Sequence, residues 1–212
     1  MARSFCAGKE QFRRMSNLSF DLDRSLRAVK SQKRNGLLVR RADAELQWAS
    51  EVSPTGGDLL FDTTVYLDVL KDCTPDAVDV LLSKRTCLHS SVCLAELTHV
   101  FGRLDPAHPS TKAALAEVAG TIGDIPDHRL FAPDVETWGR AGMIAGELAR
   151  RSGLPAGAGQ ERKFLNDALI FVQAGRLGAS VLTRNIRDFD FLTQIVAGGR
   201  VLFYRQRGAQ DS

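Results

Sequence analysis

Cysteine pairs, clustered histidines, long apolar runs and aromatic residues are all scarce in this 212-residue chain. Cys6, Cys73, Cys87 and Cys93 are scattered with no C-x-x-C pair. A chain with this much apolar content needs no disulfide staples, and Cys87 and Cys93, set among apolar neighbours, read as small buried hydrophobes. His89, His99, His108 and His128 lack metal-ligand spacing, and only His99, three residues after Glu96, stands near an acid of interest. Aromatics make up 7% of the chain and are not interleaved with basic residues, which leaves no stacking platform for single-stranded nucleic acid. No apolar run reaches the roughly 18–20 residues of a membrane span. The start, M-A-R-S-F-C-A-G-K-E-Q-F-R-R, has no apolar h-region, which argues against secretion. Its Arg/Ser-rich character resembles an organelle transit peptide, and the early Asp21 and Asp23 oppose that reading. A reduced cytoplasm is the simplest expected location.

What is present is one core and an uneven charge. Hydrophobic residues form 44% of the chain, enough for a single sizeable core with length left over. Residues 1–57 hold 11 Lys/Arg against 6 Asp/Glu, whereas residues 58–212 hold 17 against 19. The basicity therefore lies in an N-terminal arm, which suits a polyanion but is also the ordinary composition of a solvated tail. Met15 can serve as an internal start.

The chain divides at the loop S-P-T-G-G (53–57). Residues 1–57 are expected to be a basic extension, partly disordered or in short helices (about 18–30 and 41–50). Residues 58–206 form the main domain, and 207–212 a C-terminal tail. From Asp58 the pattern is regular. Short apolar strands are predicted at 59–61, 86–89, 180–183 and 200–204. Helices are predicted from Thr64 and at 75–84, 92–103, 109–122, 133–152 and 161–177, with a short one after Asn185. Ser90 is the expected N-cap of the 92–103 helix. Strands alternating with helices argue an α/β fold with a short, mostly parallel sheet covered on both faces. In such sheets ligands bind outside the carboxyl ends of the strands.

Four acids stand at the edges of apolar segments: Asp62 ending D-L-L-F-D, Glu96 in C-L-A-E-L, Asp167 in F-L-N-D-A-L-I-F-V, and Asp188 in T-R-N-I-R-D-F. Carboxylates gathered against buried elements repel one another and lose hydration, so a hard divalent cation is the usual occupant. Mg²⁺ or Mn²⁺ takes oxygen ligands, keeps several waters and offsets charge on a phosphoryl oxygen. Three of the four acids have a bland alternative. Asp62 can cap the helix that follows it, Glu96 can face solvent, and Asp188 can cap the helix after Asn185. Asp167 lies in a run too apolar for an exposed face. T-R-N (183–185) adds a hydroxyl, a cation and an amide at a strand end. Thr183 and Asn185 are expected to orient carboxylates or water, and Arg184 and Arg187 to meet a nucleic-acid backbone.

The pieces L-L-F-D62-T63, A-E96-L, N-D167-A-L-I and V-L-T183-R184-N185-I-R-D188-F resemble, in this order, the PIN-domain family, and within it the VapC-type toxins of bacterial type II toxin–antitoxin pairs. The resemblance spans about residues 58–204. It implies a three-layer α/β/α sandwich and a Mg²⁺- or Mn²⁺-dependent endoribonuclease, usually dimeric and held by a small antitoxin protein. Asp62, Glu96 and Asp167 match the family's acidic positions. Asp188 and Asn185 compete for the fourth. The family commonly begins close to its first Asp, whereas here a 57-residue extension precedes the domain that carries Asp62.

Two alternatives remain open at the level of sequence. L-F-D62-T63-T64 also resembles the nucleophile motif of haloacid-dehalogenase-type phosphatases, with Lys163 and Asp188 or Asp190 as later members. A non-catalytic PIN-like module binding RNA or protein is the other.

Overall fold

The computed structural model describes residues 20–30, 33–154 and 159–208. Cys6, Met15, the arm up to residue 19 and the tail from residue 209 lie outside the described residues. Five strands form one sheet: β1 (Leu59–Phe61), β2 (Cys87–Ser90), β3 (Leu130–Phe131), β4 (Ser180–Thr183) and β5 (Val201–Phe203). Their order is β3-β2-β1-β4-β5 and every pairing is parallel. β3 has no counterpart in the sequence pattern. Two residues are too few to show a period, and its only partner is the β2 edge.

Eight helices among the described residues flank the sheet: α1 (Leu22–Val29), α2 (Thr63–Leu70), α3 (Asp76–Lys84), α4 (Ser91–Arg103), α5 (Thr111–Gly123), α6 (Val135–Arg151), α7 (Glu161–Leu177) and α8 (Ile186–Ile195). Helices α2 to α5 carry the chain from β1 toward β3, and α6 to α8 carry it back across to β5. Right-handed crossovers in opposite directions put these two groups on opposite faces, giving three layers. The packing agrees, with α2, α4 and α5 in mutual contact and α6, α7 and α8 likewise. No described helix is long and apolar enough to cross a membrane.

Local chemistry explains where the elements begin and end. Ser90 caps α4 by accepting from the Val92 amide at 3.1 Å, as its position in the sequence predicts. Asp134 caps α6 through the Thr137 amide. Helix α7 is buried almost all round, with Phe164, Ala168, Leu169, Ile170 and Phe171 in the core. It stops at Gly178, whose φ of 69° is the left-handed turn that favours glycine.

The stretch preceding β1 is stitched to the domain from residue 20 onward. α1 lies on α6, and the Phe20 ring fills the space beside Gly139. The Arg41 amide and Nε donate to the two oxygens of Asp190, a residue with no exposure, and Arg41 also reaches Thr193. The Arg34 guanidinium takes the Gln194 and Ile195 carbonyls at the carboxyl end of α8. Residues 41–50, read from sequence as a helix, instead form two short 3₁₀ turns, Asp43–Glu45 and Ala49–Glu51. Between them Trp48 pairs in parallel with Phe203, extending the sheet by a single bridge beyond β5.

Candidate functional site

The strand order reverses at β1: β2 follows on one side and β4 lies on the other. Ligand crevices of open α/β sheets form at the carboxyl ends of such strands. Asp62 is the first residue after β1, and Thr183 is the last of β4. Asp62 stands at the start of α2 but makes no capping bond to it. Its Oδ2 instead accepts from two hydroxyls, Thr64 and Thr183, each at 2.7 Å. Each hydroxyl is itself an acceptor: the Arg184 amide donates to Thr64 and the Asn185 amide to Thr183. With those lone pairs occupied by backbone N–H groups, the single proton of each hydroxyl is directed to Asp62.

Asp167, read from sequence as too enclosed for an exposed face, is 5% exposed on α7. Burial pushes its carboxyl well above the usual range, and the nearby charges of Asp62, Asp188 and Glu96 add to the rise against the opposing pull of Lys163. Asp62 is raised too, chiefly by burial. Its two hydroxyl bonds offset only part of that, and the charge of Glu96 adds to it. Two buried carboxylates that both resist ionisation, each with another acid's charge adding to the effect of burial, have a common remedy, a cation beside them.

Asn185 and Asp188, rivals for the fourth position, are joined. The Asn185 amide nitrogen donates to Asp167 Oδ2 at 3.0 Å and to Asp188 Oδ2 at 3.1 Å. Asp188, in the first turn of α8, also receives the Lys163 ammonium at 2.5 Å. Glu96, half-buried on α4, accepts from the Thr63 hydroxyl and, at 2.6 Å, from Asn166 Nδ2. The four acids thus gather at one edge of the sheet. Among the described residues, however, no three acidic, histidine or cysteine side chains converge tightly enough to enclose a metal ion as they stand. Glu96 and Asp188 are drawn onto their own donors, which leaves the Asp62–Asp167 pair as the inner set. Two carboxylates with water completing the shell suit Mg²⁺ or Mn²⁺, whose preferred ligands are oxygens, so the donor chemistry fits that class of ion.

The two arginines read as backbone-binding cations are both engaged inside the protein. Arg184 Nε donates to Asp68 at 2.7 Å, and Tyr204 and Gln206 complete the shell of that fully buried acid. Arg187 donates to the Ser152 carbonyl and lies over the Phe191 ring. The cations at the mouth are others. A cavity of about 390 Å³ beside Glu96 is lined by Thr63, His99, Arg162, Lys163 and Asn166. The sequence does not single out Arg162 or Lys163 as nucleic-acid contacts, although Lys163 lies one turn ahead of Asp167 on α7 and Arg162 beside it lines the same cavity. Of the phosphatase alternative, Lys163 does reach Asp188, but Asp190 is held by Arg41.

The chain matches no protein-family model and no curated protein. Among solved structures it is similar to the VapBC2 complex of Rickettsia felis bound to a promoter DNA fragment, with 18% identity, a TM-score of 0.48 and coverage of 70% of this chain and 99% of that one. It is similar also to the DNA-bound VapBC of Salmonella typhimurium, with 26% identity, a TM-score of 0.46 and coverage of 69% and 97%.

Proposed function

We propose that this chain is a Mg²⁺- or Mn²⁺-dependent endoribonuclease, acting as the toxin of a type II toxin–antitoxin pair in the cytoplasm. The observation that carries the reading is the Asp62–Asp167 pair: two buried carboxylates at the strand-order reversal, both pushed up by burial and by neighbouring acids. The four-motif resemblance supplies the substrate class.

A divalent ion bound there supplies Lewis acidity toward a phosphoryl oxygen. The protein's own groups do the rest. Thr64 and Thr183 lock the rotamer of Asp62 through its Oδ2. Asn185 ties Asp167 to Asp188, so that α7 and α8 present their acids in one arrangement. Thr63 and Asn166 orient Glu96 at the rim, where it can order an attacking water. Arg162, Lys163 and His99 line the adjoining cavity and receive the phosphate backbone. Phe101 on α4, Leu104 just after it and Val69 on α2 are exposed apolar residues that an antitoxin or a second copy would cover.

The phosphatase reading has less support, because it leaves Glu96 and its two donors without a role. Incubation of purified protein with a mixed RNA pool and Mn²⁺ tests the proposal. Cleavage by the wild type, its loss with chelator, and its absence in Asp62→Asn and Asp167→Asn are expected. A folded Asp62→Asn protein that cuts as fast as wild type overturns it. Where a small reading frame adjoins the gene, co-expression of its product is expected to suppress the activity.

A further inference from the structure

We propose that Lys163 is the resident counter-cation of the acid cluster: its ammonium stands in for a divalent ion, and metal enters by exchange with it. The inference rests on the metal-site reading above and concerns the metal-free state of the same site.

Among the described residues, Lys163 is the cationic side chain bonded directly to an acid of the cluster, its Nζ 2.5 Å from Asp188 Oδ2. That oxygen is also held by Asn185, whose amide grips Asp167 Oδ2, so a continuous polar chain runs from the ammonium to the inner acid pair. Lys163 precedes Asp167 by four residues on α7 and so shares its helix face. Arg184 and Arg187 are committed to Asp68 and Ser152.

The pair is also built to open. Asp188 is buried, with 7% of its side chain exposed, whereas half of the Lys163 side chain faces solvent. A flexible four-carbon stem lets the ammonium leave without moving the helix. The cavity of about 390 Å³ that it lines with Arg162 and His99 is the place it swings into. Freed there, the same charge that held the acids becomes a phosphate contact. Lys163 and Arg162 are adjacent in sequence, and both face the substrate side once the exchange has occurred.

An ordinary surface salt bridge would contribute little and would leave metal affinity unchanged. The counter-cation role makes the opposite prediction, because an ammonium beside the acids competes with the incoming ion. Mn²⁺ binding is measured by calorimetry, and melting temperature in chelator, for wild type, Lys163→Met, Lys163→Arg and Asp167→Asn. Lys163→Met is expected to melt lower than wild type in chelator. It should bind Mn²⁺ more tightly, by about three- to tenfold for a half-screened charge, and gain more melting temperature from the ion. Lys163→Arg should keep the metal-free melting temperature. Unchanged or weaker Mn²⁺ binding by Lys163→Met, with wild-type binding that Asp167→Asn abolishes, overturns the proposal and leaves the metal site standing. A wild type that binds no Mn²⁺ that Asp167→Asn removes overturns both.

Discussion

The Thr183 hydroxyl, at the end of β4, donates to Asp62 Oδ2 at the end of β1 across 2.7 Å, and neither residue is more than 3% exposed. This one bond joins the two strands at which the sheet order reverses and fixes the acid that faces the site. Thr183→Val keeps the shape but removes the donor to Asp62 and the acceptor for the Asn185 amide. A loss of about 1–3 kcal/mol is expected in urea unfolding, together with weaker Mn²⁺ binding. Thr183→Ser, which retains the hydroxyl, should recover most of both.

Asp62→Asn and Asp167→Asn should each abolish Mn²⁺-dependent RNA cleavage while leaving the metal-free melting temperature unchanged or higher. Each substitution removes a charge that burial and neighbouring acids already oppose. Melting in chelator and a cleavage assay on the same preparations check both halves. A large fall in melting temperature would mark the acid as structural.

The same raised carboxyls set a pH dependence. An acid whose folded pKa lies above its unfolded value binds more protons when folded, so its contribution to stability is fully present below the unfolded value of 3.8 and is lost as pH rises through the folded one. In metal-free buffer the wild type should therefore gain stability relative to Asp167→Asn as pH falls from neutral. Paired melting curves across that range check the sign. A gap that narrows on alkalinisation instead would contradict the direction of the shift.

Arg41→Ala should cost about 2–4 kcal/mol, because it removes the guanidinium from Oδ1 of Asp190, which has no exposure, and leaves that carboxylate only the residue-41 amide and Gln194 Nε2, both on Oδ2. The Arg41 side chain is 36% exposed, which moderates the loss. Replacing both partners with apolar residues should restore much of it. Guanidinium unfolding of the single and double variants measures the coupling. The result would show how far residues 33–48 stabilise α8, the helix that carries Asp188.

Gly199→Ala tests packing at the other end of α8. A Cβ there would collide with the Phe171 ring, which is 3% exposed in the core. Overpacking of this kind costs about 1–3 kcal/mol. Chemical denaturation should show that loss with RNA cleavage retained at low temperature.

Much of this architecture could be read from local pattern. The buried run at 180–183, the helix 161–177 and the Ser90 cap follow from strand runs, helical spacing and capping chemistry, which are properties of neighbouring residues. Asp167 stood out because its neighbours are too apolar for a solvent face, and burial followed from that alone. Tertiary structure alone decided which donors each acid meets. Arg184 and Arg187 sit beside the motif in sequence, yet the backbone turn after β4 sends one to Asp68 and the other to Ser152. Lys163 lies 25 residues from Asp188 and reaches it because α7 and α8 pack side by side. The two-residue β3 and the Arg41–Asp190 clasp are equally invisible locally, one too short to show a period and the other closed across 149 residues. Sequence sets which groups are costly to bury. Only the packed fold sets what each is buried against, because hydrogen bonds and ion pairs depend on distances between elements that no local period encodes.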